Sequence, residues 1–167
     1  MSQPQRLEAQ PDAVQHLSFR VRDAGYALPI DLVREIIEYA EVTRVPMMPA
    51  YIHGVINLRG NVVPVLDLAA RFGLSLTEPG NRTCIVIIEL PLDGGLQRIG
   101  LVVDEVDEVL EIEPRQIMPP PAFGTAIRSD FIAGMAQQAQ EFLIILNMLQ
   151  VLSLDDTCHL SQPSKNH

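Results

Sequence analysis

Apolar residues in this chain come in short runs, rich in Val and Ile, that are broken by Gly, Pro, Asn and Asp instead of recurring at helical spacing. No helical stripe dominates, so the pattern predicts a mainly β chain with a few short helices. Alternation at Leu17-Ser18-Phe19-Arg20-Val21 marks a strand, and residues 26–30 form its hairpin partner across Asp23-Ala24-Gly25. A second hairpin joins residues 54–58 to 62–66 through Arg59-Gly60-Asn61, where Gly and Asn tolerate the positive φ of a tight turn. Pro64 falls inside that second strand, which predicts a bulge or a sheet edge there. Asp67 is placed to cap a short helix running to Phe72, with Gly73 ending it. A third hairpin pairs residues 83–90 with 97–103 across Pro91-Leu92-Asp93-Gly94-Gly95.

Two stretches are ambiguous. Residues 104–113 carry six acids and no base, yet Val106, Val109, Leu110 and Ile112 run through them. That pattern fits an amphipathic edge strand or a turn, or simply a solvated acidic face. Residues 133–149 favour helix on propensity. The continuous run Phe142-Leu143-Ile144-Ile145-Leu146 has the length of a buried strand, so the segment is read as strand, followed by a short helix over 147–152. Residues 1–14 and 156–167 are rich in Gln, Ser, Pro and Asp and read as flexible tails around one domain at 15–155.

Composition then narrows the function. At 167 residues, 47% hydrophobic and 20% charged, the chain can bury a core without disulfides or metal. Cys84 lies in an apolar run and reads as a buried small hydrophobe, and Cys158 as incidental, with neither at a metal-ligand spacing. No signal peptide or membrane span is visible, so a cytoplasmic location is expected, with no direct membrane insertion. The net charge of −9, with Lys165 the sole lysine, disfavours nucleic acid as a partner. No Walker loop, Gly-x-Ser-x-Gly or His/Cys/carboxylate ligand set occurs, so the expectation is no enzyme activity, no cofactor and no metal. His53 is read as a partly exposed structural side chain. Pro119-Pro120-Pro121 reads as a rigid surface connector.

One segment is far more distinctive than the rest. Pro46-Met47-Met48-Pro49 leads through Gly54-Val55-Ile56-Asn57-Leu58-Arg59-Gly60 to Val63-Pro64-Val65-Leu66-Asp67-Leu68. This resembles the central signature of CheW-like chemotaxis coupling domains. Tyr26-Ala27-Leu28-Pro29-Ile30 and Val33-Arg34-Glu35-Ile36 precede it in the family's order. Ile99-Gly100-Leu101-Val102-Val103-Asp104-Glu105-Val106, then Phe131-Ile132-Ala133-Gly134 and Leu143-Ile144-Ile145-Leu146-Asn147, follow it. Asn147 stands where many members carry Asp.

The resemblance implies two packed five-stranded SH3-like β-barrel subdomains with a few short helices. It further implies a non-enzymatic adaptor, with the cytoplasmic tip of a chemoreceptor and the regulatory domain of a CheA-type histidine kinase as partners. By position in the family's motifs, Val33, Glu35, Gly54, Arg59 and Val106 are the candidate receptor-binding residues. The kinase-binding residues stay unassigned. The same adaptor role in a non-flagellar pathway, serving pili or surface motility, is an alternative, and a small ligand-binding β-barrel is a weaker one.

Overall fold

The computed structural model describes residues 13–40, 42–92, 94–120, 127–138 and 141–153. Among the described residues, eleven strands form two sheets. The first contains β1 (Val14–Val21), β2 (Ala24–Pro29), β8 (Glu105–Ile112), β9 (Ile117–Met118), β10 (Ile132–Gln138) and β11 (Glu141–Leu146), in the order β8-β1-β2-β11-β10-β9. The second contains β3 (Val33–Glu38), β4 (Ile52–Leu58), β5 (Asn61–Asp67), β6 (Cys84–Leu92) and β7 (Gly95–Val103), in the order β3-β6-β7-β5-β4. The second unit is therefore one continuous segment inserted between β2 and β8 of the first. Two short helices, α1 (Leu68–Arg71) and α2 (Met148–Val151), sit at strand ends.

The mainly β, two-unit architecture agrees with the sequence reading. The first sheet has six strands instead of five because Ile117 and Met118 add a two-residue strand beside Met135 and Ala136. The acidic stretch is β8, an edge strand pairing with β1. Within 133–149, the helical alternative is not what residues 133–138 and 141–146 form, while the short helix begins at Met148. Residues Gly134, Ala136 and Leu143, Ile145 are buried from alternating positions of β10 and β11, so tertiary burial overrides local propensity.

Side-chain alternation divides the core into three. Ile85 and Ile87 of β6 point into the second barrel with Val63, Val65 and Val102. Their neighbours Val86, Ile88 and Leu90 point the other way, into the largest cluster, with Phe19, Tyr26 and Leu28 of the first unit. Ala27, Ile112, Ala136, Leu143 and Ile145 fill the first barrel. Because β6 is buried on both faces, its sequence is a continuous apolar run instead of an alternating one. The seam between the barrels holds more buried side chains than either barrel interior, so the two units stabilise each other by hydrophobic burial.

Several turns differ from expectation in informative ways. The first hairpin turns at Arg22-Asp23, since Val21 pairs with Ala24. Arg22 has φ 59°, and its N–H donates to Asp104 Oδ2 at 2.6 Å while its guanidinium reaches Ser75. Gly25 instead lies within β2, where a Cβ would stand 2.8 Å from Leu143 Cδ2. Pro64 sits in a central strand, yet removes no ladder bond. Its partner Val55 directs both N–H and C=O to Thr43, and pairing of β5 with β7 begins only at Val65. Asp67 caps α1 through Ala69 N–H and is fully buried, with Thr77 N–H and Oγ–H completing its partners. Cys84 is half-buried at the start of β6, more exposed than its sequence context suggests. Pro119 and Pro120 follow β9, and Pro121 and the tail residues 1–12 and 154–167 lie outside the described residues.

Candidate functional site

The register of β3 decides which way its side chains face. Val33 pairs with Ile88 and Glu35 with Ile87, so Arg34 is an extra residue, a bulge. Ile88 belongs to the seam cluster and Ile87 to the barrel interior. Val33 therefore packs against the seam, whereas Glu35 shares the face of Ile37, toward the second barrel.

At the seam, next to Leu32 just before the start of β3, lies an apolar groove of about 290 Å³. Leu32, Leu90 and Pro91 line it from the second unit's side, and Leu146, Met148 and Leu149 from the end of β11 and from α2. Leu149 is more than half exposed, so the groove opens to solvent.

Glu35 meets Arg59 across the open side of the second sheet. Arg59 Nη2 donates to both Glu35 carboxylate oxygens at 2.9 Å. Leu58 pairs with Asn61, which leaves Arg59 and Gly60 as a two-residue turn with φ 50° and 89°, the signs of a type I′ turn. The Arg59 side chain is 67% exposed and the Glu35 side chain 28% exposed. Such a pair adds about 0–1 kcal/mol to stability, so its arrangement serves geometry more than folding.

Gly54 is buried on β4, at a bulge between Ile52 and Gly54. A Cβ there would stand 2.1 Å from the Thr43 carbonyl oxygen. The segment leaving β3 crosses here to pair Thr43 with Val55 and close the barrel, and only glycine permits the approach. Val106 lies on the other sheet, opposite Phe19, and packs at the margin of the seam cluster. The structure thus unites Glu35 with Arg59, packs Val33, two residues back along the same strand, against the seam next to the groove-lining Leu32, buries Gly54, and carries Val106 on the first unit.

Two further features escaped the sequence reading. His53 is buried instead of partly exposed. Its Nε2 lies 2.7 Å from Tyr39 Oη, and its Nδ1 is buried with no hydrogen-bond partner. Burial lowers its pKa, against a smaller opposing pull from Asp67. Arg71 stacks between Tyr51 and Phe131, 4.8 and 4.9 Å from the ring centres, and donates from Nε to Val151 O at 2.6 Å. It thereby links α1 to α2 and holds the helix that walls the groove.

Comparison with known proteins fits this arrangement. The CheW family, described as the CheW-like domain, matches residues 15–156. The chain is 28% identical to the chemotaxis protein CheW of Klebsiella aerogenes over 97% of this chain and 95% of that one. It is 36% identical to the chemotaxis protein CheW of Rhizobium meliloti over 71% of this chain and 74% of that one. It also resembles the crystal structure of the scaffolding protein TtCheW from Thermoanaerobacter tengcongensis, with a TM-score of 0.76 and 33% identity over 84% of this chain and 88% of that one. With its two β units and its central hairpin matched, and residues 15–156 covered by the family model, this chain belongs to the CheW-like family of chemotaxis coupling adaptors.

Proposed function

We propose that this protein is a non-enzymatic, cytoplasmic adaptor that joins the tip of a chemoreceptor coiled coil to the regulatory domain of a CheA-type histidine kinase. The observation that carries the receptor half is the seam groove lined by Leu32, with Val33 following it at the start of β3 and the Glu35–Arg59 pair two residues further along that strand. A helical tip would bury apolar side chains between Leu32 and Leu149 while polar groups of its rim meet the ion pair. Val33 supplies apolar area, and Glu35 and Arg59 set orientation. Gly54 supports the site from inside the barrel, and Val106 belongs to the first unit's margin. Among the described residues no helix is long and apolar enough to cross a membrane.

The test is co-sedimentation of the purified protein with a soluble receptor cytoplasmic-tip fragment, comparing the parent with Glu35→Lys. The variant should keep the parent's circular dichroism and lose at least about tenfold in affinity, as expected for reversing one half of a paired contact. A well-folded Glu35→Lys protein that binds like the parent would show that the receptor docks elsewhere.

A second reading concerns the pathway. The chain is 31% identical to Protein FrzA of Myxococcus xanthus over 87% of its length, the same identity as to the chemotaxis protein CheW of Bacillus subtilis. The same adaptor role in a non-flagellar system, serving pili or surface motility, is therefore kept beside swimming chemotaxis.

A further inference from the structure

The Arg59 turn is an unfavourable choice of residue that the structure holds in place. A type I′ turn needs positive φ at both central positions and favours Asn, Asp or Gly at the first. Arginine at φ 50° costs about 1 kcal/mol or more by comparison. Asn57, a residue suited to that position, stands two places earlier instead. From there its Oδ1 accepts the Gly60 N–H at 2.9 Å. Gly60 itself has open space around its missing Cβ, so it is required for its φ of 89° and not for packing.

We propose that Asn57 is a positioning residue for receptor recognition: by binding the Gly60 N–H it fixes the turn that presents Arg59 to Glu35 and to the partner. Three features of the geometry converge on this. The side chain of Asn57 is exposed and faces the turn it caps. Glu35 occupies only Nη2 of the guanidinium, so among the described residues Nε and Nη1 have no acceptor and are presented to solvent. Arg59 is also the one residue of the turn whose side chain reaches the opposite edge of the sheet. Without the cap, the turn can relax toward conformers with negative φ at Arg59, and the guanidinium loses its fixed direction. A fixed direction is what an orienting contact requires, since each freely rotating side chain must be ordered again on binding.

The inference rests on the receptor reading of Glu35 and Arg59, and the experiment separates the two. Four proteins are compared with the parent by titration against a receptor cytoplasmic-tip fragment: Asn57→Ala, Asn57→Asp, Arg59→Ala and the double variant Asn57→Ala/Arg59→Ala. Amide hydrogen exchange at Gly60 is followed in each. Asn57→Ala should weaken binding by about three- to tenfold, the worth of one hydrogen bond, and speed Gly60 exchange. Asn57→Asp retains an acceptor and should recover binding to within about twofold of the parent. On the Arg59→Ala background the Asn57 change should have no further effect, which a general loss of stability would not reproduce. Parent-like binding by Asn57→Ala beside weakened binding by Arg59→Ala would overturn the positioning role alone. Parent-like binding by Arg59→Ala would overturn the receptor reading itself. Equal losses from Asn57→Ala with and without Arg59 would mean that Asn57 acts by some route other than Arg59.

Discussion

Arg59 and Glu35 connect the two edges of one sheet: the carboxylate comes from edge strand β3, and the guanidinium from the turn after edge strand β4. In between, Thr43 closes the barrel by backbone pairing with Val55, so the ion pair is a second tie across the same opening. Because both groups are solvated, the tie is weak. Single substitutions Glu35→Ala and Arg59→Ala should each change unfolding free energy by less than about 1 kcal/mol, with a coupling of similar or smaller size in the double variant. Urea denaturation of the four proteins measures this. Receptor affinity should fall by a larger factor than stability. A coupling in stability above that range would instead make the pair a structural element, and binding defects in these variants would then need no direct contact.

Gly54 should behave in the opposite manner. Alanine places a methyl carbon 2.1 Å from the Thr43 carbonyl oxygen and 2.7 Å from Val42 Cγ1, with backbone φ at 154°. Neither the carbonyl nor the strand can retreat without breaking the Thr43–Val55 bridge. Gly54→Ala should therefore lose about 2–4 kcal/mol of stability. Gly60→Ala meets no atom within 4 Å and should lose only about 1 kcal/mol, through its positive φ. Thermal and urea unfolding of the two variants side by side gives the comparison. Similar losses would indicate that steric contact at Thr43 is relieved by relaxation of the segment between β3 and β4.

Much of this fold was legible because burial writes itself into strand sequences. The Cys84-Ile85-Val86-Ile87-Ile88 run announced a strand, which the structure covers on both faces, and Asp67 followed by Leu68-Ala69-Ala70 announced a capped turn of helix. What stayed hidden depends on register and on distant partners. Nothing local to Arg34 marks it as a bulge, yet that one extra residue turns Val33 to the seam and Glu35 to the barrel. Arg22 resembles no turn former until Asp104, far along the chain, takes its N–H. The two-unit organisation was reached through the resemblance of the Gly54–Asp67 segment to a family signature, whereas the groove wall formed by α2 depends on how the second unit is inserted into the first.

His53 makes stability depend on pH. Its Nε2 contacts Tyr39 Oη, so the tautomer with hydrogen on Nε2 leaves only a bare Nδ1 lone pair unpartnered. Protonation would place an N–H there with no acceptor, and burial accordingly lowers the folded-state pKa below the usual 6.5. Asp67 offsets part of this and Arg44 adds to it. The unfolded chain then binds the proton more readily than the folded one. Stability from this group is full above about pH 6.5 and is lost as pH falls through the depressed folded value. Unfolding free energies measured from pH 7.5 down to 5 should decline, and His53→Gln should flatten that decline. An equally steep slope in the variant would assign it to the carboxylates.

Arg71 is expected to matter for both stability and the groove. Its guanidinium is sandwiched by Tyr51 and Phe131, and it donates to Val151 O and, at 3.3 Å, to Ser153 O at the end of α2. Those bonds join a helix of the second unit to a helix of the first, across the seam. Arg71→Ala would leave the two carbonyls without this donor and open a space between two rings, costing about 1–3 kcal/mol. Lysine keeps the charge but lacks the planar fork that stacks and donates in two directions, so Arg71→Lys should recover less than half of that loss. Because Met148 and Leu149 of α2 wall the groove, receptor affinity should fall further than in Ile85→Val, a barrel-interior change with a cost of about 0.5–1.5 kcal/mol that leaves α2 untouched. Urea denaturation and titration with the receptor-tip fragment, at a temperature where all three proteins are folded, separate the two effects. If Arg71→Lys matches the parent in both measurements, charge alone suffices and the stacked geometry does not hold the groove wall.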